Sequence, residues 1–430
     1  MTASDTHRAI EAVYRIESAR LIAGLARFVR NIGLAEELAQ DALVAALEQW
    51  PESGVPRNPG AWLMAVAKRR AIDHLRRDER FERKLEQLGR ELEVCDGEAA
   101  AADLKAVLDG DIDDELLGLV FTACHPVLST EARVALTLRV LGGLKTEEIA
   151  RAFLVSESTV AQRIVRAKRT LAEARVGFEV PSGAELAVRL PSVLEVVYLV
   201  FNEGYAATAG NDWMRPALCQ EALRLGRILA ELMPGEPEVQ GLVALMEIQA
   251  SRLRARTGPG GEPVRLFDQD RARWDQLLIR RGLAALQRAE DLGGALGPYA
   301  LQAAIAACHV RGRTAQETDW AGIVALYDAL AQLAPSPVVE LNRAVAVAMA
   351  FGPEAGLELV DALTDEAQLA DYHLVRSVRG DLLAKLGRLD EARADFERAA
   401  SLARNVPERE LLRRRAAACA DDETPQRSGA

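Results

Sequence analysis

Long apolar runs are missing from this 430-residue chain. Nowhere do about 18 apolar residues follow one another, so no helical membrane span is expected. Aromatic residues are scarce, at 5 %, and β-branched residues come only in short runs. A sheet-rich domain draws on both, so their scarcity argues against one. The five cysteines, Cys95, Cys124, Cys219, Cys308 and Cys419, are odd in number and far apart, with no CxxC or HxxxH cluster. That excludes a disulfide framework and leaves no metal-binding pattern; reduced thiols that fill core space are expected. The N-terminal MTASDTHRAIEAVYRIESARLIAG has no unbroken apolar core behind a basic start. No secretory signal is therefore expected, and the expected compartment is the cytoplasm.

What is present favours helix. Apolar residues make up 49 % and charged residues 27 %, with alanine, leucine, arginine and glutamate dominant, so the expected fold class is all-α. Net charge is −11 and the isoelectric point near 5.3, which by itself argues against nucleic acid. The charge is unevenly spread, however. Lys68 to Lys84 and Arg163 to Arg175 are locally basic, while Glu86 to Glu115 and much of the C-terminal half carry the acid. Such a chain should bind DNA weakly alone and better where a partner supplies affinity.

Apolar spacing predicts a helix through Ile10, Val13, Tyr14, Leu21, Leu25, Phe28 and Ile32, and a second over Leu34 to Trp50. PESGVPRNPG, Pro51 to Gly60, then interrupts before helix resumes at Ala61 and runs through the basic patch. The alanine-rich acidic segment after Cys95 reads as a linker. From Pro181 the pattern becomes helices of about 12–18 residues between Gly/Pro turns, the grammar of a helical repeat array. LRLGRILAELMP and IVALYDALAQLAP end alike, with Leu, one residue, then Pro234 or Pro335. In RGDLLAKLGRLDEARADFERAASL, Gly380, Gly387, Ala392, Phe396 and Ala399 fall at tetratricopeptide spacing, with Phe396 expected between paired helices.

The sharpest local signal is KTEEIARAFLVSESTVAQRIVRAKRTLAEAR. Thr146 is expected to cap a short helix with Ile149, Ala150 and Phe153 inward; Leu154 and Val155 make a turn. Ser156 caps a second helix with Val160 and Ile164 inward. Its opposite face offers Glu157, Ser158, Thr159, Gln162, Arg163 and Arg166. This is a helix-turn-helix pattern whose second helix suits a major groove. Amide, hydroxyl and guanidinium groups address base edges, and Lys168 and Arg169 are placed for phosphates.

AEELAQDALVAALEQW, residues 35–50, resembles the core-polymerase-binding helix of the sigma-70 family. AWLMAVAKRRAIDHLRR resembles the promoter −10 helix of extracytoplasmic-function (ECF) sigma factors, and residues 116–175 resemble the family's −35 domain. VLEVVYLVFNEGYAAT and PSPVVELNRAVAVAMA are similar to C-terminal extensions of ECF sigma factors that carry tetratricopeptide-like repeats. The resemblance implies two small helical sigma domains followed by a tetratricopeptide-like domain. Its boundaries are region 2 at 1–90, an acidic linker at 91–115, region 4 at 116–178, the repeat domain at 179–420 and a disordered tail at 421–430. Core RNA polymerase and promoter DNA are the implied partners, with a protein or peptide ligand for the repeats and no cofactor.

Glu37, Gln40, Asp41 and Glu48 leave an acidic, amide-rich face that can meet basic side chains of polymerase. In the family, the loop after this helix captures a base flipped from the −10 element; Asn58 is the candidate polar contact. Trp62 either stacks on the opened strand or is buried between helices. Lys68, Arg69, Arg70, Arg76 and Arg77 are expected on phosphates, and Asp73 in an internal salt bridge. Leu154 stands where the family commonly has glycine, which implies a different turn shape.

Phe201, Asn202, Glu203, Gly204 and Tyr205 set polar groups among large apolar ones, where buried polar groups need partners. They are expected to pin the tail to the −35 domain or to line a regulatory pocket. The tail is expected to control the DNA-reading half, so that deletion after about residue 180 changes promoter output and spares folding. Two rival readings remain. A stand-alone helix-turn-helix regulator with a repeat sensor gives residues 35–77 no role. An enzyme reading of the acidic Asp111 to Glu115 lacks a second facing cluster, and no nucleophile–base set can be named, so no enzyme is expected.

Overall fold

The computed structural model describes residues 3–89, 112–153, 155–293, 297–312, 314–364, 366, 369 and 372–421, with side chains except at 3–9, 11–12, 15–16, 77–89, 112–113 and 421. Among these residues there are eighteen α-helices and no strand, so the chain is all-α. No helix among them is long and apolar enough to cross a membrane. Two compact units divide the chain, Met1–Val197 and Tyr198–Ala430.

The first unit holds α1 (Ala3–Val29), α2 (Ile32–Ser53), α3 (Pro59–Gly89), α4 (Ile112–Ala123), α5 (Thr130–Val140), α6 (Thr146–Phe153), α7 (Glu157–Glu173) and the start of α8 (Gly183–Tyr205). Ile10, Leu21 and Leu25 are buried along α1, but Ile32 already opens α2. The chain turns at Arg30 and Asn31, and the Asn31 side chain caps α2 by accepting from the Leu34 N–H at 3.2 Å. The buried face of α2 is Ala35, Leu38, Ala39, Ala42, Ala45, Ala46 and Trp50.

The expected break at Pro51 to Gly60 is shorter. Helix α2 continues through Pro51 to Ser53, and Gly54, at φ 80°, closes it with its N–H on the Trp50 carbonyl. The proline forfeits one ladder bond in the last turn only. Pro59 opens α3 at a position where a missing N–H costs nothing. Helix α4 begins at Ile112, inside the expected linker. The rest of that linker, including Cys95, lies outside the described residues, as do Leu154 and the tail after Asp421.

Past the expected boundary at 178, the chain still belongs to this unit. Gly118 on α4 lets residue 178 cross it, since a Cβ there would meet the Phe178 carbonyl oxygen at 2.1 Å. Arg189 on α8 donates to the Phe121 carbonyl at 2.9 Å, and Ser192 to that of Cys124 at 2.6 Å. Arg133 on α5 pairs with Glu195 at 2.9 Å, and Val193 and Val196 are fully buried. A cut near residue 180 would therefore strip the cover from α4 and α5 rather than spare their folding.

The second unit continues from Tyr198 with α9 (Pro216–Leu232), α10 (Pro237–Ala250), α11 (Gln276–Asp291), α12 (Pro298–Arg311), α13 (Trp320–Leu333), α14 (Pro337–Phe351), α15 (Pro353–Leu363), α16 (His373–Lys385), α17 (Leu389–Leu402) and α18 (Val406–Asp421). Proline starts α9, α10, α12, α14 and α15, where its fixed φ already suits a helix. The two matching segment ends are real helix ends. Helices α9 and α13 stop at Leu232 and Leu333, with one residue left before each proline, because the residue before proline is driven out of helical conformation. Helices pack mainly on their neighbours in sequence, each group around its own small core.

Gly380 and Phe396 meet as expected. A Cβ on Gly380 would approach the Phe396 ring to 2.7 Å, and Ala392, Phe396 and Ala399 are buried around it. Gly387, at φ 75°, makes the turn between α16 and α17. The polar pair in the Phe201–Tyr205 segment separates. Asn202 is exposed, whereas Glu203 pairs with Arg215 and accepts from the Thr208 hydroxyl at 2.9 Å. Asn405 closes the same loop through the carbonyls of Ala207 and Asp212. The segment thus pins a loop within its own unit. Cys124, Cys219 and Cys419 are buried and Cys308 half-buried.

Phe396→Ala should lower the unfolding free energy of the second unit by about 3–5 kcal/mol, read by denaturant titration.

Candidate nucleic-acid interface

Three helices set the geometry of the DNA-reading pattern. Helix α6 starts on Thr146, its expected cap residue, so the cap itself falls one residue earlier. Lys145 holds the cap position, its N–H donates to the Glu148 carboxylate at 2.7 Å, and Thr146 is already helical. The glutamate wins because its side chain reaches back over one turn to an otherwise unpaired donor. Ser156 does cap α7, accepting from the Thr159 N–H at 3.1 Å. Its hydroxyl also bonds those of Ser158 and Thr159, at 2.9 and 2.7 Å. Val160, Ile164, Ala167 and Leu171 face inward.

Outward on α7 stand Glu157, Ser158, Gln162, Arg166 and Arg169, all exposed, with Thr159 and Arg163 half-buried. Arg169 pairs loosely with Glu173, at 3.4 Å between two exposed groups, which contributes little. Val165, 65 % exposed between Gln162 and Arg166, was missed by the sequence reading. An apolar side chain stranded on a polar helix face was the available signal, and such a group suits a thymine methyl.

Lys168 does not join that face. Its ammonium donates to Glu36 on α2, and Arg139 on α5 donates to the other carboxylate oxygen at 2.6 Å. Gln40 adds a bond at 3.0 Å. The Glu36 side chain is 7 % exposed, against 24 % for Arg139 and 22 % for Lys168. Burial pushes the Glu36 carboxyl up, but Lys168 and Arg139 together outweigh it and hold the group below its ordinary value. Nearby, burial and then the Glu36 charge push the Tyr14 phenol up to about 12. Glu36 was not singled out from sequence, because it lies at the flank of the apolar stripe and its two cations are more than a hundred residues away.

On α2, Glu37, Asp41 and Glu48 are exposed and Gln40 is half-buried, so the expected acidic face exists. Val44, 48 % exposed, lies among them. On α3, Arg69 and Arg76 are exposed and Lys68 is half-buried; Arg70 pairs with Asp41 at 3.0 Å, tying α3 to α2. The Arg77 side chain lies outside the described residues. Asp73 is exposed. Asn58 caps α3, accepting from the Ala61 N–H at 3.1 Å. Trp62 is half-buried, edge to face with Trp50 at 5.2 Å; Trp50 is only 1 % exposed. This pair fastens the Gly54–Asn58 link between α2 and α3.

Among the described residues, no group of three or more His, Cys, Asp or Glu could hold a metal ion. Burial pushes Cys124 up to about 11 and Cys219 up to about 12, which suits core thiols rather than nucleophiles.

Comparison with known proteins matches three segments of the chain. Residues 14–81 match sigma-70 region 2 and residues 119–171 match sigma-70 region 4. Residues 189–290 match a family of unknown function. An uncharacterized protein of Rhizobium meliloti is 46 % identical over 392 residues, 90 % of either chain. The ECF RNA polymerase sigma factor SigK of Mycobacterium bovis is 30 % identical over 149 residues, 34 % of this chain and 74 % of SigK. The probable ECF RNA polymerase sigma factor SigI of Mycobacterium tuberculosis is 26 % identical over 174 residues, 40 % of this chain and 58 % of SigI.

Glu36→Gln should destabilise the first unit by about 1–3 kcal/mol at neutral pH, less than for fully buried pairs because both cations keep some water. The sign with pH follows from the lowered carboxyl. The contribution is full above the ordinary value of 4.5 and fades as pH falls through the lower folded value. The acid limb of a stability–pH curve should therefore be shallower in Glu36→Gln than in the wild type.

Proposed function

The chain belongs to the sigma-70 family of RNA polymerase sigma factors, in its ECF branch, and from that premise we propose that it directs core polymerase to specific promoters. The observation that carries the proposal is the pairing of two surfaces in one unit: the acidic face of α2, and the exposed Gln162, Arg166 and Arg169 on α7. Core polymerase and promoter DNA are the partners, and the cytoplasm, where polymerase works, is the compartment. A sigma factor needs no catalytic group of its own, and none is assigned.

In this reading, Glu37, Gln40, Asp41 and Glu48 meet basic side chains of core. Lys68, Arg69, Arg70, Arg76 and Arg77 hold phosphates near the −10 element. Asn58 and Trp62 keep the short link between α2 and α3 in shape for the opened strand. Glu157, Ser158, Gln162, Arg163 and Arg166 read the −35 element, with Val165 added to them and Arg169 on phosphate. Ser156 and Thr159 act by holding the helix start. Lys168 can reach phosphate only after leaving Glu36.

The second unit is proposed as a tetratricopeptide-like regulatory domain with a protein or peptide ligand. Support comes from the neighbour-on-neighbour packing and from the contact of Gly380 with Phe396. A stand-alone regulator is not favoured, because it gives the α2 face and the basic α3 no task.

Run-off transcription on DNA upstream of the chain's own gene, with and without core polymerase, tests the proposal. A specific transcript should appear only when both proteins are present. Charge reversal at Arg163 and Arg166 should reduce it. Removing one cation from a DNA phosphate should flatten the log–log salt dependence of promoter binding by about 0.9. Failure of core to capture the protein would sink the proposal. Equal output from the full chain and from one ended at Tyr205 would remove the regulatory role of the second unit.

A further inference from the structure

A cavity of about 1000 Å³ opens in the first unit between the corner joining α1 to α2 and the end of α7. Two arginines in its wall have an unusual backbone. Arg30, at φ 52°, and Arg175, at φ 49°, are the only non-glycine residues with left-handed φ among the described residues, and both line this cavity. Left-handed backbone disfavours any side chain with a Cβ, and glycine usually takes it at helix ends. At Arg175 the setting is such an end: the Val176 N–H reaches the Leu171 carbonyl at 3.1 Å and the Arg175 N–H that of Ala172 at 3.1 Å.

Arginine at both places therefore calls for a use of the guanidinium. Both side chains are exposed, and neither has a carboxylate partner among the described residues. The other cations in the wall have acid neighbours. Lys168 is held by Glu36, and Arg27 lies 3.9 Å from Glu115; Asp114 and Glu179 add acid. The remaining wall includes Phe28, Ile32, Leu171 and Phe178. Two guanidiniums with no acid partner among the described residues, beside an apolar wall, suit one kind of ligand.

We propose that this cavity binds a small amphipathic anion, with its carboxylate or phosphate head between Arg30 and Arg175 and its apolar body along the wall. Such a ligand joins the α1–α2 corner to the end of α7, and so holds the −10 and −35 halves of the unit together.

Calorimetric titration of the full chain with sodium decanoate and with octyl phosphate, both below their micelle concentrations, tests this. At least one should bind saturably at one site, whereas acetate and inorganic phosphate, which lack the apolar body, should not. The decanoate arm and the octyl phosphate arm distinguish a carboxylate head from a phosphate head. In a double variant, Arg30→Gly with Arg175→Gly, affinity should fall at least tenfold, while the ligand-free melting temperature stays the same or rises. Absence of saturable binding by both probes, or equal affinity in the double variant, would overturn the proposal. A lower melting temperature in the ligand-free variant would overturn it too, by giving the arginines an internal structural role. So would failure of both probes together with weaker binding of non-promoter DNA by the variant, which would make the arginines nucleic-acid clamps.

Discussion

A carboxylate taken out of water must find cations, and Glu36 finds two of them far along the chain. Arg139 and Lys168 come from α5 and α7, so one buried group joins the helix with the proposed polymerase face to both a structural helix and the helix proposed to read DNA. The attraction is strong because the carboxylate is nearly dry, and because hydrogen bonds accompany the charges. Its consequence reaches the proposed function: Lys168 is engaged inward in this arrangement, while Gln162, Arg166 and Arg169 stay available.

Further along, the same logic of buried cations fixes where the first unit ends. Arg133 lies under α8 and pairs with it, and Arg189 reaches from α8 to the carbonyl of Phe121. The first part of α8 is therefore an integral cover of α4 and α5. The second unit uses different means. Prolines start its helices, glycines let neighbours approach, and Phe396 fills the space that Gly380 leaves. Its interior charges are paired locally, as Glu203 with Arg215 and Asp395 with Arg376 and Arg379.

Local features of the sequence determined much of this by themselves. Helical periodicity, the Ser156 cap, the Leu–X–Pro helix ends and the Gly380–Phe396 pair all depend on residues within a few turns of one another, so each was legible without a structure. The outward faces of α2 and α7 were legible for the same reason. Near misses were local as well: the cap of α6 went to Lys145 because Glu148 could reach it, and α2 ran through Pro51 because its last turn tolerates the loss of one bond. Only the tertiary structure decided which charged groups were buried together. Glu36 with Arg139 and Lys168, and Arg133 with Glu195, join residues that periodicity cannot connect, since the energy of a buried charge depends on what surrounds it in space rather than on its neighbours in the chain.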